Sequence, residues 1–357
     1  MTAHVIDPVH PWNAARAKAL VRERARLPHA LMICGQKGLG KNTLALWLAQ
    51  HLLCTQPTGD NDVCGQCQNC RLFVAGSHPD LHVLQPEATY KASPGVLAQY
   101  AQRYAPADKS KDSKDSTVIR IDQIRALIEN VQTRAQIAPC KVVLLSPADS
   151  MNVNAANSLL KLLEEPPSDS YLVLIADRPA RLPATIRSRC ARIDVHIPAP
   201  AVALAWLAGQ GLDENEARLL LDLTRGAPCA AQTLAHSEFF VQRAALLDDM
   251  ENMVSGQGDP LSCATRWKSL GAEPCLHWLL GFLSDLIRTR MQGVSTHLYN
   301  PDSQTRLQAL EKRLDLKQLF HFSETVVRAR VLLGGPLDEQ LILEDTLIRW
   351  NKLAQNP

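Results

Sequence analysis

An α/β P-loop domain on a parallel sheet, then a small helical module and an all-α C-terminal domain, is the fold that the sequence predicts. Three observations carry that expectation. The apolar run Ala30–Cys34 leads into Gly35-Gln36-Lys37-Gly38-Leu39-Gly40-Lys41-Asn42, and a helix-forming stretch follows. Further short apolar runs alternate with helix-spaced segments as far as about Val195. Beyond Pro198 and Pro200 the strand pattern stops and only helical periodicity remains.

Strand, glycine-rich turn and helix in that order are what a phosphate-cradling loop requires. Gly35, Gly38 and Gly40 let the backbone N–H groups and a helix N-terminus face an anion, and Lys41 would supply a cation. These four are the candidate nucleotide-binding residues. The match fails at its last position, where a hydroxyl should hold magnesium and Asn42 stands instead; Thr43 comes one residue late. The loop is therefore degenerate: ATP binding by this chain is in doubt, weak binding through the loop and Lys41 stays open, and hydrolysis is not expected.

The bounds set by composition are broad. With 357 residues the chain can build two or three cores. A net charge of +2 makes it no general polyanion binder, although Arg16–Arg26 is locally basic and its apolar spacing predicts a helix over 14–26. No apolar run reaches membrane-spanning length and no secretion segment opens the chain, so a cytoplasmic protein is expected. In that compartment ten cysteines read as ligands or buried thiols rather than disulfides.

Four of them cluster: Cys54 just beyond the P-loop helix, then Cys64, Cys67 and Cys70 in a C-x2-C-x2-C knuckle. Four thiolates can close tetrahedrally around one zinc ion with no open position for water, which makes a structural site. Free thiols or an iron–sulfur site are the alternatives. A short strand, Leu81–Gln85, follows His78-Pro79-Asp80. Residues 87–117 then thin into an alternating Lys/Asp repeat that predicts a mobile loop. A helix through Ile121–Val131 leads to a second parallel strand, Lys141–Leu145. An active P-loop ATPase ends this strand in carboxylates; here it runs into Ser146-Pro147-Ala148, and Asp149 arrives late. A helix over Asn154–Glu165 stops at Pro166-Pro167. Strands Tyr171–Ala176 and Ala191–Val195 flank Leu182–Cys190. The domains are then 1–197, carrying the cysteine module 54–70, a helical module 198–236, and 237–357. In the last, helices are expected over 238–251, 274–291, 304–314, 316–333 and 337–353, with a glycine-containing loop after the first.

Leu27-Pro-His-Ala-Leu31, the P-loop, the C-x9-C-x2-C-x2-C cluster, Asn157-Ser-Leu-Leu-Lys-Leu-Leu-Glu-Glu-Pro-Pro167 and Ser188-Arg-Cys190 together resemble the clamp-loader family of bacterial DNA polymerase III, within the AAA+ superfamily. The resemblance covers nearly the whole chain. It implies an AAA+ domain, a lid and a C-terminal collar, in a subunit that helps to load the sliding clamp onto primed DNA. The implied partners are the gamma/tau motor subunits and the delta subunit; the holoenzyme they serve is a DNA-directed DNA polymerase, a nucleotidyltransferase.

By the same resemblance Lys41 falls on the P-loop lysine, and Ser146 and Pro147 on the acids of the motor subunits. Ala176 and Asp177 fall on a sensing threonine pair, and Gly226-Ala-Pro228 where a sensor arginine begins the lid helix. Arg189 falls on an arginine finger reaching a neighbour's ATP site, and on that account needs no partner within its own chain. The receiving half of an ATP site is thus dismantled and the donating half kept, which implies a non-motor subunit without ATPase activity of its own. An ATP-hydrolysing motor subunit is the competing reading, disfavoured by Asn42, Ser146 and Pro147. A free zinc-dependent nucleic-acid module is weaker, since no basic or aromatic pattern flanks the knuckle.

Overall fold

A computed structural model describes residues 8–59, 62–105, 115–292, 298–333, 335 and 337–355. The chain divides into two compact units, Met1–Ile197 and Pro198–Pro357.

The first unit runs α1 (Ala14–Arg22), β1 (Ala30–Cys34), α2 (Lys41–Leu53), α3 (Gln68–Val74), β2 (Leu81–Leu84), α4 (Glu87–Ala92), α5 (Val96–Ala101), α6 (Ile121–Val131), β3 (Lys141–Leu145), α7 (Val153–Glu164), β4 (Ser170–Ala176), α8 (Ala184–Arg187) and β5 (Ala191–Asp194). All five strands are parallel, in the order β2-β3-β4-β1-β5. β1, β2 and β3 are buried along their whole length, as a parallel sheet covered on both faces demands; the edge strand β5 is partly exposed. The register sets Cys34 beside Ala176 on one side and Asp194 on the other. The C-terminal strand ends therefore bring the glycine loop, Ser146 and Asp177 to one edge of the sheet, where open α/β sheets carry their ligands.

Three sequence expectations need correction. The helix expected over 14–26 ends at Arg22, and Arg24–Arg26 forms a 3-10 turn. Arg24 there donates to the carbonyls of His51 and Leu52 at 3.1 and 2.9 Å, capping the C-terminus of α2. Part of the basic segment is thus spent inside the fold. Second, residues 87–104 are no loop: they form α4, α5 and a 3-10 turn with Tyr90, Tyr100 and Tyr104 buried. The Tyr100 hydroxyl accepts from the His78 N–H at 3.0 Å and donates toward the carbonyls of Leu72 and Phe73. Most of the Lys/Asp repeat, 106–114, lies outside the described residues. Third, part of the loop expected after 251 is helical.

In the second unit α9 (Pro200–Gly209), α10 (Glu214–Leu223) and α11 (Pro228–Ala235) surround a small cluster that includes Leu207, Leu220 and Ala231. Six more helices follow among the described residues: α12 (Glu238–Val254), α13 (Pro260–Leu270), α14 (Ala272–Gln292), α15 (Gln304–Glu311), α16 (Leu316–Leu332) and α17 (Glu339–Gln355). Their core holds Trp267, Trp278, Phe282 and Trp350. α13 is the unexpected one. Asp259 caps it through the N–H groups of Leu261 and Ser262, and buried Trp267 donates to Asp249 at 3.0 Å. Among the described residues no helix is long and apolar enough to cross a membrane.

One buried pair gives the first unit a pH dependence. His78 and His82 are both held neutral by burial, each pKa falling from about 6.5 to about 4. The unfolded chain takes up these protons first, so stability is lost as pH falls from 6.5 towards 4. The loss is on the order of 3 kcal/mol per histidine once both states are protonated. Denaturant unfolding at pH 7 and pH 4.5 should show this, and His82→Gln should flatten the slope. An unchanged slope would remove His82 from the account.

Candidate functional site

The glycine loop has the backbone of a phosphate cradle. Gly38 and Gly40 adopt φ of 85° and 73°, and Gly40 caps α2 in the left-handed region that side chains avoid. The N-terminal segment of the chain packs against this loop. A Cβ on Gly40 would lie 2.0 Å from the His10 ring. Trp12 Nε1 and Asn13 Nδ2 both donate to the Leu39 carbonyl at 3.0 Å.

Lys41 is buried, and its ammonium donates to the carbonyls of Gly35 and Gln36, each at 2.7 Å. Asp177 Oδ1 pairs with it at 2.6 Å. Two of the three ammonium donors are thus spent on backbone carbonyls, and the Asp177 carboxylate compensates the buried charge from within the chain.

The magnesium side is closed in a similar way. Ser146 Oγ donates to Asn42 Oδ1 at 2.6 Å, so the two positions that should bind the ion bind each other. Asp149 accepts from the N–H groups of Asp177 and Arg178 at 2.9 and 3.2 Å, which ties it to the end of β4. Among the described residues β3 itself ends without a carboxylate, and Asp149 beyond it is oriented by the backbone after β4.

Arg189 follows α8, and its side chain is about one-third exposed (36%). Contrary to expectation it has partners in its own chain. Nη1 donates to the Thr185 carbonyl at 2.9 Å, and Nη2 pairs with Glu164 at 2.5 Å. A guanidinium carries five N–H donors, and among the described residues these two contacts are the ones it makes. Arg187 is exposed too and has no ion pair among the described residues.

The four clustered cysteines meet as their spacing predicted. Their sulfurs all lie within 4.8 Å of one another, with Cys54–Cys64 at 3.7 Å and Cys64–Cys70 at 3.8 Å. A tetrahedron of sulfurs about 2.3 Å from zinc has edges of roughly 3.8 Å. Backbone N–H groups of Cys67 and Cys70 point at the sulfurs of Cys64 and Cys67, at 3.3 and 3.4 Å. Burial raises the Cys67 thiol, but hydrogen bonds from Cys70 and Thr55 outweigh it and bring the pKa down to about 6. The N–H groups of Gln66 and Cys67 lower Cys64. Donor set and geometry fit a structural metal site.

Three contributors to the nucleotide site carried no sequence signal: His10, Asp177 as partner of Lys41, and the Trp12–Asn13 clasp on Leu39. Glu164 had one, being an acid at the C-terminal end of a helix.

Comparison with known proteins places this arrangement in a family. The family model described as "DNA polymerase III, delta subunit" matches residues 15–198, and "DNA polymerase III, delta subunit, C terminal" matches 237–352. The DNA polymerase III subunit delta' of Pseudomonas aeruginosa is 33% identical over 97% of this chain and 98% of its own. The chain belongs to the delta-prime subunit family of DNA polymerase III. The subunits delta' of Yersinia pestis (32% identical, 96% of this chain and 95% of theirs) and Escherichia coli (29%, 97% and 96%) extend the match. A delta-prime subunit is a non-catalytic partner in the clamp loader of the polymerase holoenzyme. The fold and family expected from the sequence are thereby met, and the motor-subunit alternative is set aside.

Proposed function

We propose that this delta-prime chain leaves its own P-loop unused and completes a neighbouring subunit's ATP site with Arg189. The observation that carries this is an asymmetry of donors. Lys41 is buried, bonded to two carbonyls and paired with Asp177 in its own chain, while Arg189 is exposed and among the described residues makes one hydrogen bond and one ion pair out of five N–H donors. A planar fork of donors at the surface suits the oxygens of a phosphoryl group in transfer. The neighbour is a motor subunit of the gamma/tau kind. The delta subunit, the sliding clamp and primed DNA are the other members of the cytoplasmic assembly, met through a collar formed by 237–357, with 198–236 as lid. Zinc is the metal that suits Cys54, Cys64, Cys67 and Cys70: four sulfur ligands close the tetrahedron, so its role is structural.

The isolated chain is expected to hydrolyse ATP at background rate. Lys41→Ala should change neither that rate nor hydrolysis by the assembled loader. Steady turnover abolished by Lys41→Ala would return the chain to the motor class. Gly35, Gly38 and Gly40 then serve the tight turn alone; at Gly35 a Cβ would meet the Val195 carbonyl oxygen at 2.4 Å.

A further inference from the structure

We infer that Glu164 is a positioning residue for Arg189, holding the guanidinium in the orientation from which it reaches a neighbour's nucleotide. This rests on the finger reading given above and adds to it a residue of α7. An exposed ion pair is ordinarily incidental, but four observations separate this one from that background.

Glu164 ends α7, where unsatisfied carbonyls make the helix terminus negative and an acid is disfavoured. Glu165 adds a second carboxylate at once, and Pro166-Pro167 stops the helix there. A sequence that sets two acids at the wrong end of a helix breaks a local rule, and functional sites are where such breaks occur. Next, the pairing is selective. Glu164 takes Arg189, whereas Glu165 and Arg187, both exposed, have no ion pair among the described residues.

The guanidinium is also held at a second point, by the Thr185 carbonyl at the end of α8. A hydrogen bond on one nitrogen and an ion pair on another restrict the swing of the planar group more than either alone. Finally, both anchors stand on one core. Leu162 and Leu163 of α7 and Ile186 of α8 are buried in the same cluster, so the carboxylate and the arginine are carried by elements packed together. A finger fixed in advance loses less side-chain freedom when it engages the phosphoryl group, and that gain appears in the rate of the chemical step.

The test uses the assembled loader with DNA, reading kcat and KM for ATP. Glu164→Ala is expected to remove most of the share of kcat that Arg189→Ala removes, with KM unchanged. Glu164→Gln keeps an acceptor of the same reach and should lie between Glu164→Ala and wild type. Adding Glu164→Ala to Arg189→Ala should cost nothing further, because the carboxylate acts only through the arginine. Glu165→Ala is the control and should match wild type. Melting temperatures should agree throughout, since both partners are substantially exposed. If Glu164→Ala matches wild type while Arg189→Ala is impaired, the pair is incidental and the inference fails. A raised kcat for Glu164→Ala would mean that the carboxylate restrains the arginine, and would equally overturn it. Should Arg189→Ala itself match wild type, the finger reading falls first, and the two failures are told apart.

Discussion

Arg189→Ala is expected to lower DNA-stimulated ATP hydrolysis by the assembled clamp loader, and clamp loading with it, while the subunit folds and assembles normally. The ion pair with Glu164 is exposed, and pairs of this kind contribute about 0–1 kcal/mol to stability. The C-terminal helices, with their own core around Trp267, Trp278 and Trp350, are remote in sequence from this residue. At a single ATP site, fingers supplied in trans contribute on the order of 10³- to 10⁵-fold. A loader with several ATP sites should show a smaller overall drop, because the other sites keep their own fingers. Arg189→Lys should rescue poorly: an ammonium is a point charge and cannot reproduce two fixed donors on different nitrogens. Arg187→Ala should be mild. Equal hydrolysis and loading by wild-type and Arg189→Ala complexes, at matched assembly, would leave this chain a purely structural subunit.

How much of this was legible beforehand depended on the range of the interactions. The strands β1, β3 and β4 announce themselves because a strand covered on both faces must be apolar throughout. The cysteine cluster does so because its spacing is local. The absence of acids after β3 was equally plain, and the structure adds the reason that nothing replaces them: Asn42 and Ser146 bond each other, and Asp149 is tied to the backbone after β4. Helices α4 and α5 were missed because their burial comes from tertiary partners. Tyr100 is ordered by His78 and the end of α3, and Tyr104 by a 2.6 Å bond to His82, and neither contact has a periodic signature. α13 was masked by Gly256 and Gly258, although Asp259-Pro260 is a recognisable helix start. The Lys41–Asp177 pair lay beyond reach for a different cause. It exists only because the sheet register sets Cys34 beside Ala176, which places the residue after β4 over the loop after β1. Arg189 was legible from its triplet, but its tether to Glu164 depends on how α8 packs against α7.

Loss of the metal should be the most destabilising single change available outside the cores. Cys54 sits at the C-cap of α2, and Cys67 and Cys70 flank the start of α3, so one ion would join two helix ends. Among the described residues few other contacts hold the segment between them, chiefly the Thr58–Asp62 bridge and a 3.3 Å contact from His51 to Asp62. Its buried cluster is Cys54, Cys67 and Cys70 themselves, with Val63 packed alongside, and Asn69 adds one hydrogen bond to the Leu53 carbonyl at 2.9 Å. Metal binding at such sites supplies folding free energy directly. Its loss belongs among the few mechanisms that exceed about 4 kcal/mol. At roughly 2–4 °C per kcal/mol for a unit of this size, the melting temperature should fall by on the order of 10 °C. Purified protein should carry about one zinc per chain, the stoichiometry of a four-sulfur site. Cys67→Ser should lose both the metal and this increment of stability, while Cys229→Ser, elsewhere in the fold, should keep both. The sheet retains its own core around Met32, Leu145 and Leu174, so a zinc-depleted protein should unfold locally between α2 and α3 before it unfolds globally. Hydrogen exchange should therefore quicken first in residues 55–74. Visible absorption from the purified protein would indicate an iron–sulfur cluster instead of zinc. Metal-free protein with an unchanged melting temperature would remove the structural role altogether.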